Sequence, residues 1–242
     1  MLCEALTQLP HSLVFNEPNI AFRRFVIRGN EAELLALQGI DLQQFIKRWS
    51  VLQRRFLLYG FRKSLLPRIN PHIAQIGIKE IFHANWRAIQ KGFPNLRVVL
   101  TARDPRDIYL SLHNRYMSGA AIWNGEFTPE RVAAKLNEEF TYQLEMSREL
   151  DVLKIRYEDL CLDADSFRRV FEFVESDIKS LGQLGALLQS DEKRTAEGQL
   201  HAGKVTDRRV ARWKSEQSDE LVTAASRVMQ LMPHFCEFWE YD

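Results

Sequence analysis

Residues 96–115 read LRVVLTARDPRDIYLSLHNR, and this stretch decides the fold prediction. The apolar run over residues 96–101 predicts a buried strand, and the amphipathic segment from Asp104 onward predicts a helix with Pro105 in its first turn. Ions at the carboxyl end of a buried strand are typical of a ligand site in an open α/β sheet, where helix N-termini offer N–H groups. The alternative is a salt-bridge cluster that caps the helix. The ions in question are Arg103, Asp104, Arg106 and Asp107.

The rest of the chain repeats this alternation of strands and helices. Strands alternating with helices predict a parallel sheet that helices cover on both faces, in a single domain over residues 1–242. Two prolines make residues 62–71 a predicted loop, and residues 190–207 are polar and irregular. Further strands are predicted at 12–15, 73–78 and 152–156, and helices at 1–9, 31–58 (two helices meeting near Gly39), 80–91, 128–150, 166–174, 181–188 and 219–232.

Composition narrows the class of protein. The 242 residues are 45% hydrophobic and carry a formal net charge of +1, which predicts a folded globular protein without a general attraction for nucleic acid. Three widely spaced cysteines and no apolar run of membrane-span length predict a cytoplasmic protein with neither a disulfide nor a membrane span. Six histidines without ligand spacing predict no metal site.

Two further segments carry a family resemblance. Residues 152–160 read VLKIRYEDL, and residues 201–214 read HAGKVTDRRVARWK. Together with RDPRDIYLS they resemble the sulfotransferase family, which moves a sulfuryl group from 3′-phosphoadenosine 5′-phosphosulfate (PAPS) to an acceptor. The resemblance spans roughly residues 1–215. It implies a three-layer α/β/α fold of the P-loop nucleotide-hydrolase type.

The resemblance implies roles for residues on the donor side. Arg103 and Ser111, eight residues apart, would bind the 3′-phosphate, and Tyr157 would lie near the adenine. Residues 201–214, the basic segment, would close over the phosphates through Gly203, Lys204, Arg208 and Arg209. The alternatives are an amphipathic tyrosine at a strand end and a solvated basic loop, and Trp213 is assigned to packing. The family's Arg-Lys-Gly triplet is missing, so the cations of this segment that touch the donor are not fixed.

The acceptor side rests on weaker signals. Glu17, in an Asn-Glu-Pro turn, resembles the carboxylate that takes the acceptor's proton, and the alternative is a structural or substrate-binding turn residue. Lys79 resembles the lysine that polarises the leaving group, and the alternative is a surface residue. Ile81 replaces the histidine base of cytosolic members. The acceptor class that follows is a hydroxyl of a carbohydrate or small molecule. The cations of residues 47–68 are interpreted as the solvated face of a helix, and the alternative is an acceptor site for a lipid, a sugar or an anion.

The glycine-rich loop that holds the 5′-phosphosulfate in the family, typically ending Ser-Gly-Thr, has no counterpart in this sequence. The residues from the N-terminus to the Glu-Pro turn resemble the family from the helix after that loop. We therefore expect a chain that starts one strand and one loop downstream, with weak donor binding and little turnover as given. Two other functions fit the same pattern: a non-catalytic nucleotide-binding relic of this fold and a P-loop nucleoside kinase.

Overall fold

The chain forms two compact units, which we describe separately because each has its own sheet. The computed structural model describes residues 2–7, 11–18, 29–41, 57–69, 71, 73–120, 125–175 and 210–242. The first unit comprises residues 1–97 and 171–193, and the second comprises residues 98–170 and 194–242. Within the described residues each unit holds one two-stranded parallel sheet. The predicted α/β class with parallel strands is thereby confirmed.

The first unit is built around a pair of strands, β1 (Ser12–Asn16) and β2 (Gln75–Lys79). The strands run parallel, with Ser12 opposite Gln75 and Asn16 opposite Lys79. A buried apolar cluster forms its core: Leu13, Phe15, Leu35, Ile40, Phe61, Leu65, Ile69 and Ile73. In chain order its elements are α1 (Leu2–Leu6), β1 (Ser12–Asn16), α2 (Gly29–Ala36), α3 (Leu57–Gly60), a π-helical turn (Phe61–Leu65), α4 (Leu66–Ile69), β2 (Gln75–Lys79) and α5 (Trp86–Gly92).

The predicted loop at residues 62–71 is wrong, because helical structure continues to Ile69. Phe61, Leu65 and Ile69 recur every four residues, and all three are buried. Pro67 lacks an N–H, and the helix accommodates it behind a π turn in which the Leu66 N–H donates to the Phe61 carbonyl. The helical apolar period therefore outweighed the two prolines.

Of two other helix predictions of the first unit, one is wrong at its start and one is confirmed. The helix predicted from residue 80 begins only at Trp86. The break predicted near Gly39 is present, since α2 ends at Ala36 and Gly39 adopts a φ of +75°. That left-handed conformation is one that glycine adopts without steric cost. The second half of the predicted 31–58 helical region falls largely outside the described residues.

The second unit is built around a pair of parallel strands, β3 (Val98–Ala102) and β4 (Val152–Arg156). Val98 lies opposite Val152 and Ala102 opposite Arg156. Its elements are β3 (Val98–Ala102), α6 (Pro105–Met117), α7 (Pro129–Glu149), β4 (Val152–Arg156), α8 (Tyr157–Leu162), α9 (Ala164–Phe173, whose last residues belong to the first unit), a 3₁₀ turn (Arg212–Ser215), α10 (Asp219–Gln230) and α11 (Pro233–Trp239).

Helices α6, α7, α10 and α11 enclose the core of this unit. Thr128 caps α7 by accepting a hydrogen bond from the Arg131 N–H at 3.3 Å, and Pro129 follows it, which agrees with the helix start predicted at residue 128. Helix α11 was not predicted. It buries Phe235 against Phe140, with ring centroids 5.2 Å apart. The predicted helix 181–188 and irregular segment 190–207 lie outside the described residues, and no helix within the described part is both long and apolar enough to cross a bilayer.

Candidate anion site at the end of β3

A helix cap fixes the turn between β3 and α6. Asp104 precedes the helix, and its Oδ1 accepts a hydrogen bond from the Arg106 N–H at 2.8 Å. Pro105 occupies the first helical position, where a missing N–H costs nothing. The cap satisfies one of the N–H groups that a helix start leaves unpaired. The RDPRD sequence thus ends β3 and begins α6 within two residues.

Arg106 braces this turn from outside. Its Nε and Nη2 reach the two carboxylate oxygens of Asp104 at 3.0 and 2.7 Å. Its Nη2 also donates to the Asp242 carbonyl at 2.8 Å. The guanidinium lies over the ring of Trp213, 3.9 Å from the centroid, so Trp213 is a half-buried packing partner. Asp104 and Arg106 therefore form a salt bridge at the helix start, as in the alternative that the sequence left open.

Asp107 is a buried carboxylate that connects two parts of the site. Its Oδ1 accepts a hydrogen bond from the Trp213 N–H at 3.1 Å, and its Oδ2 lies 3.4 Å from Nη2 of Arg103. Burial raises the pKa of Asp107, and the charge of Arg103 and the Trp213 N–H oppose that rise. Asp107 thus connects Trp213 to the first turn of α6.

Arg103 lies beside Tyr157, and both of these predicted donor-site residues belong to the second unit. The Arg103 guanidinium is 5.0 Å from the centre of the Tyr157 ring. Asp107 and Ser111, four residues apart, lie on one face of α6, and Arg103, two residues before the helix begins, reaches Asp107 with its guanidinium. The Ser111 side chain is half-buried. The structure therefore brings Arg103 and Tyr157 together and puts Ser111 one helical turn beyond Asp107, the residue that Arg103 contacts.

Sequence analysis missed two residues behind this turn. The Asp104 N–H donates to Oε1 of Glu158 at 2.9 Å, and the Tyr241 hydroxyl donates to Oε2 of the same carboxylate at 2.7 Å. Glu158 stands two residues after the end of β4, as Asp104 stands two residues after the end of β3. This equivalence identifies the contact once the two strands are known to be neighbours. No sequence signal pointed to Tyr241.

Glu17 and Lys79 meet at the carboxyl end of the other strand pair. Asn16 lies opposite Lys79 at the last pair of the register, and the next residue, Glu17, donates its N–H to the Lys79 carbonyl at 2.7 Å. The Lys79 ammonium forms an ion pair with the Glu17 carboxylate. Glu17 adopts a φ of +54°, a left-handed conformation that is uncommon for a residue with a side chain. The structure thus joins the two predicted catalytic residues to each other.

A third carboxylate supports the end of β1. Glu31, at the start of α2, is 2% exposed, and its Oε1 accepts a hydrogen bond from the Asn16 N–H at 2.6 Å. Asn16 immediately precedes Glu17, so Glu31 fixes the end of β1 next to the residue with the left-handed conformation. Sequence analysis assigned Glu31 only to a helix.

The remaining predicted residues, Gly203, Lys204, Arg208 and Arg209, lie outside the described residues. Among those that are described, no three or more His, Cys, Asp and Glu side chains are grouped so that they could hold a metal ion.

The chemistry of the β3 end suits an anion. A guanidinium presents a planar set of donors that matches the oxygens of a phosphate, and a serine hydroxyl adds one more donor. Asp107 already balances one positive charge there, so a bound phosphate must also rely on hydrogen bonds for its stabilisation. No family model and no curated protein match this chain.

Proposed function

We propose that this protein is a PAPS-dependent sulfotransferase that transfers the sulfuryl group to a hydroxyl of a carbohydrate or small-molecule acceptor. The observation that carries the proposal is that Arg103, held against Tyr157, contacts Asp107 on the face of α6 that carries Ser111 one turn further on, with Arg103 and Ser111 at the family's spacing. The fold that belongs to this proposal is the three-layer α/β/α fold of the P-loop type.

Recognition of the 3′-phosphate rests on Arg103. Its contacts with Tyr157 and Asp107 restrict the side chain before any ligand arrives, which lowers the entropy that binding must offset. Ser111 supplies a hydroxyl donor on the same face of the helix. Tyr157 offers one ring face to Arg103, and the adenine is proposed to lie near this ring.

The basic segment is proposed to close over the phosphates through Gly203, Lys204, Arg208 and Arg209. The hydrogen bond from the Trp213 N–H to Asp107 supports this part of the proposal, because it fixes the chain four residues after Arg209.

Sulfuryl transfer resembles phosphoryl transfer in that positioning and electrostatics supply most of the catalysis. We assign Glu17 as the base that takes the acceptor's proton, and Lys79 as the cation that stabilises charge on the leaving phosphate oxygen. Their ion pair at the end of β1–β2 supports a shared role, since a carboxylate and an ammonium held together supply both functions at one place.

The test compares two nucleotides that differ only in the 3′-phosphate. Isothermal titration calorimetry measures the Kd of 3′-phosphoadenosine 5′-phosphate and of adenosine 5′-phosphate for the wild type, Arg103→Ala and Ser111→Ala. Loss of one charge-assisted hydrogen bond costs about 1.5–3 kcal/mol, so Arg103→Ala should weaken the 3′-phosphorylated ligand roughly 10- to 150-fold. Ser111→Ala should weaken it less, and adenosine 5′-phosphate should bind both variants as it binds the wild type.

Arg168→Ala is the matched control, because it removes an arginine that is half exposed and pairs with Asp165 on α9. This variant should bind both nucleotides like the wild type. An equal loss for both nucleotides in Arg103→Ala would assign Arg103 a structural role and refute the donor-site proposal.

A further inference from the structure

The register of β3 and β4 continues beyond the ends of both strands. Each residue of β3 faces the residue 54 positions later in the chain, and the hydrogen bond from the Asp104 N–H to Glu158 keeps that separation. Arg103 and Tyr157, which touch through their side chains, are also in this register. Tyr157 and Glu158 therefore hold the turn at Arg103 and Asp104: the Tyr157 ring contacts the Arg103 guanidinium, and the Glu158 carboxylate binds the Asp104 N–H.

Glu158 takes the place of a missing capping-box residue. In a capping box, the residue at the third helical position returns a carboxylate or amide to the N–H of the N-cap residue. In α6 that position is Asp107, whose carboxylate instead serves Arg103 and the Trp213 N–H. The N–H of Asp104 instead donates its hydrogen bond to Glu158, which follows the neighbouring strand β4, at 2.9 Å. Asp107 thus occupies the capping-box position, and Glu158 accepts the hydrogen bond that a capping-box residue would accept.

Tyr241 orients Glu158. Its hydroxyl donates to Oε2 of Glu158 at 2.7 Å, and burial, together with the Glu158 charge, raises the pKa of Tyr241, so the hydroxyl keeps its proton. The ring is held independently of this bond. It stacks on Phe235 with an interplanar angle of 6°, and the Tyr241 N–H donates to the Cys236 carbonyl at 2.9 Å. Removing the hydroxyl therefore releases Glu158 while the ring contacts stay.

We propose that Glu158 and Tyr241 are positioning residues that hold the Arg103 turn in the orientation that binds the 3′-phosphate. This inference rests on the proposed function. A hydrogen bond to the Asp104 N–H fixes the peptide plane between Arg103 and Asp104, and with it the direction in which the Arg103 side chain leaves the backbone. A turn fixed before binding loses less entropy when the phosphate binds.

The test is a double-mutant cycle between Tyr241→Phe and Arg103→Ala, read as the Kd of 3′-phosphoadenosine 5′-phosphate. We expect Tyr241→Phe alone to weaken this ligand roughly three- to tenfold, the effect of one net hydrogen bond, and to leave adenosine 5′-phosphate unchanged. In the Arg103→Ala background, Tyr241→Phe should have no further effect, because the group that it positions is gone. Glu158→Gln, which keeps an acceptor oxygen for Asp104, should retain most of the affinity that Glu158→Ala loses.

Tyr142→Phe is the control, since the Tyr142 side chain, on α7, is half-buried like that of Tyr241. The inference is overturned if Tyr241→Phe weakens both nucleotides equally, or if its effect persists undiminished without Arg103, because either result means that it acts on the fold as a whole.

A second readout separates this inference from the proposed function. If the wild type binds both nucleotides alike, the proposed function fails, and hydrogen exchange of the Asp104 amide then decides whether the turn is held as inferred. Faster exchange in Tyr241→Phe, with circular dichroism unchanged, supports the hold on the turn. Exchange at the wild-type rate in that variant overturns it.

Discussion

Replacing Glu17 tests whether a strained residue ends β1. An L-residue in the left-handed region lowers the free energy of unfolding by about 1–2 kcal/mol, a cost that glycine does not carry. Glycine instead lowers it by about 0.4–1 kcal/mol, because the unfolded chain is more flexible at a glycine. Both Glu17→Gly and Glu17→Ala lose the ion pair with Lys79. The side chains of Glu17 and Lys79 are 26% and 40% exposed, so the loss lowers the free energy of unfolding by about 0.2–1 kcal/mol. Glu17→Gly should therefore be about 1 kcal/mol more stable than Glu17→Ala and close to the wild type.

Native-state hydrogen exchange of the β1 amides measures this difference within the first unit. The same two substitutions at Glu33 provide the control, because Glu33 is exposed in the middle of α2. There alanine should be more stable than glycine by about 1 kcal/mol, the reverse order. A Glu17→Ala variant as stable as Glu17→Gly would refute the positive φ and the strain argued from it.

Two further predictions concern the strand ends and the sheet. Since burial raises the pKa of Asp107 above its ordinary 3.8, its contribution to stability is present below that pH and is lost as the pH rises through the folded-state pKa. In urea unfolding, the destabilisation caused by Asp107→Asn should therefore shrink as the pH rises from 3.8; a cost that grows with pH would contradict this. Gly77→Ala puts a Cβ 3.0 Å from Cγ2 of Val14, so faster β2 amide exchange is expected, and exchange at the wild-type rate would exclude this crowding.

The sequence predicted those parts of the fold that local chemistry sets. Asp104 with Pro105, and Thr128 with Pro129, start helices through hydrogen bonds made within three residues, and both starts are confirmed. The strand at Val152–Arg156 was predicted to the residue. Pro67 misled the prediction because the helix continues through it, directly after a π turn that no local pattern indicates.

Only the part of the candidate site that lies within one continuous stretch of sequence was predictable. Arg103 and Ser111 lie within one strand–helix turn, so their spacing is visible in the sequence. Glu158 became recognisable only when β4 was known to be the neighbour of β3. Tyr241 lies 83 residues after Glu158, and a single hydroxyl connects the two, so neither periodicity nor spacing could have linked them.

The most direct test of the central claim is calorimetric titration of the wild-type protein with 3′-phosphoadenosine 5′-phosphate, adenosine 5′-phosphate and ATP. A site that recognises the 3′-phosphate through Arg103 and Ser111 should bind the first nucleotide at least about tenfold more tightly than the second, the value of one charge-assisted hydrogen bond. ATP should bind no better than adenosine 5′-phosphate. Equal affinity for the first two nucleotides, or a preference for ATP of the kind that a nucleoside kinase would show, would contradict the account.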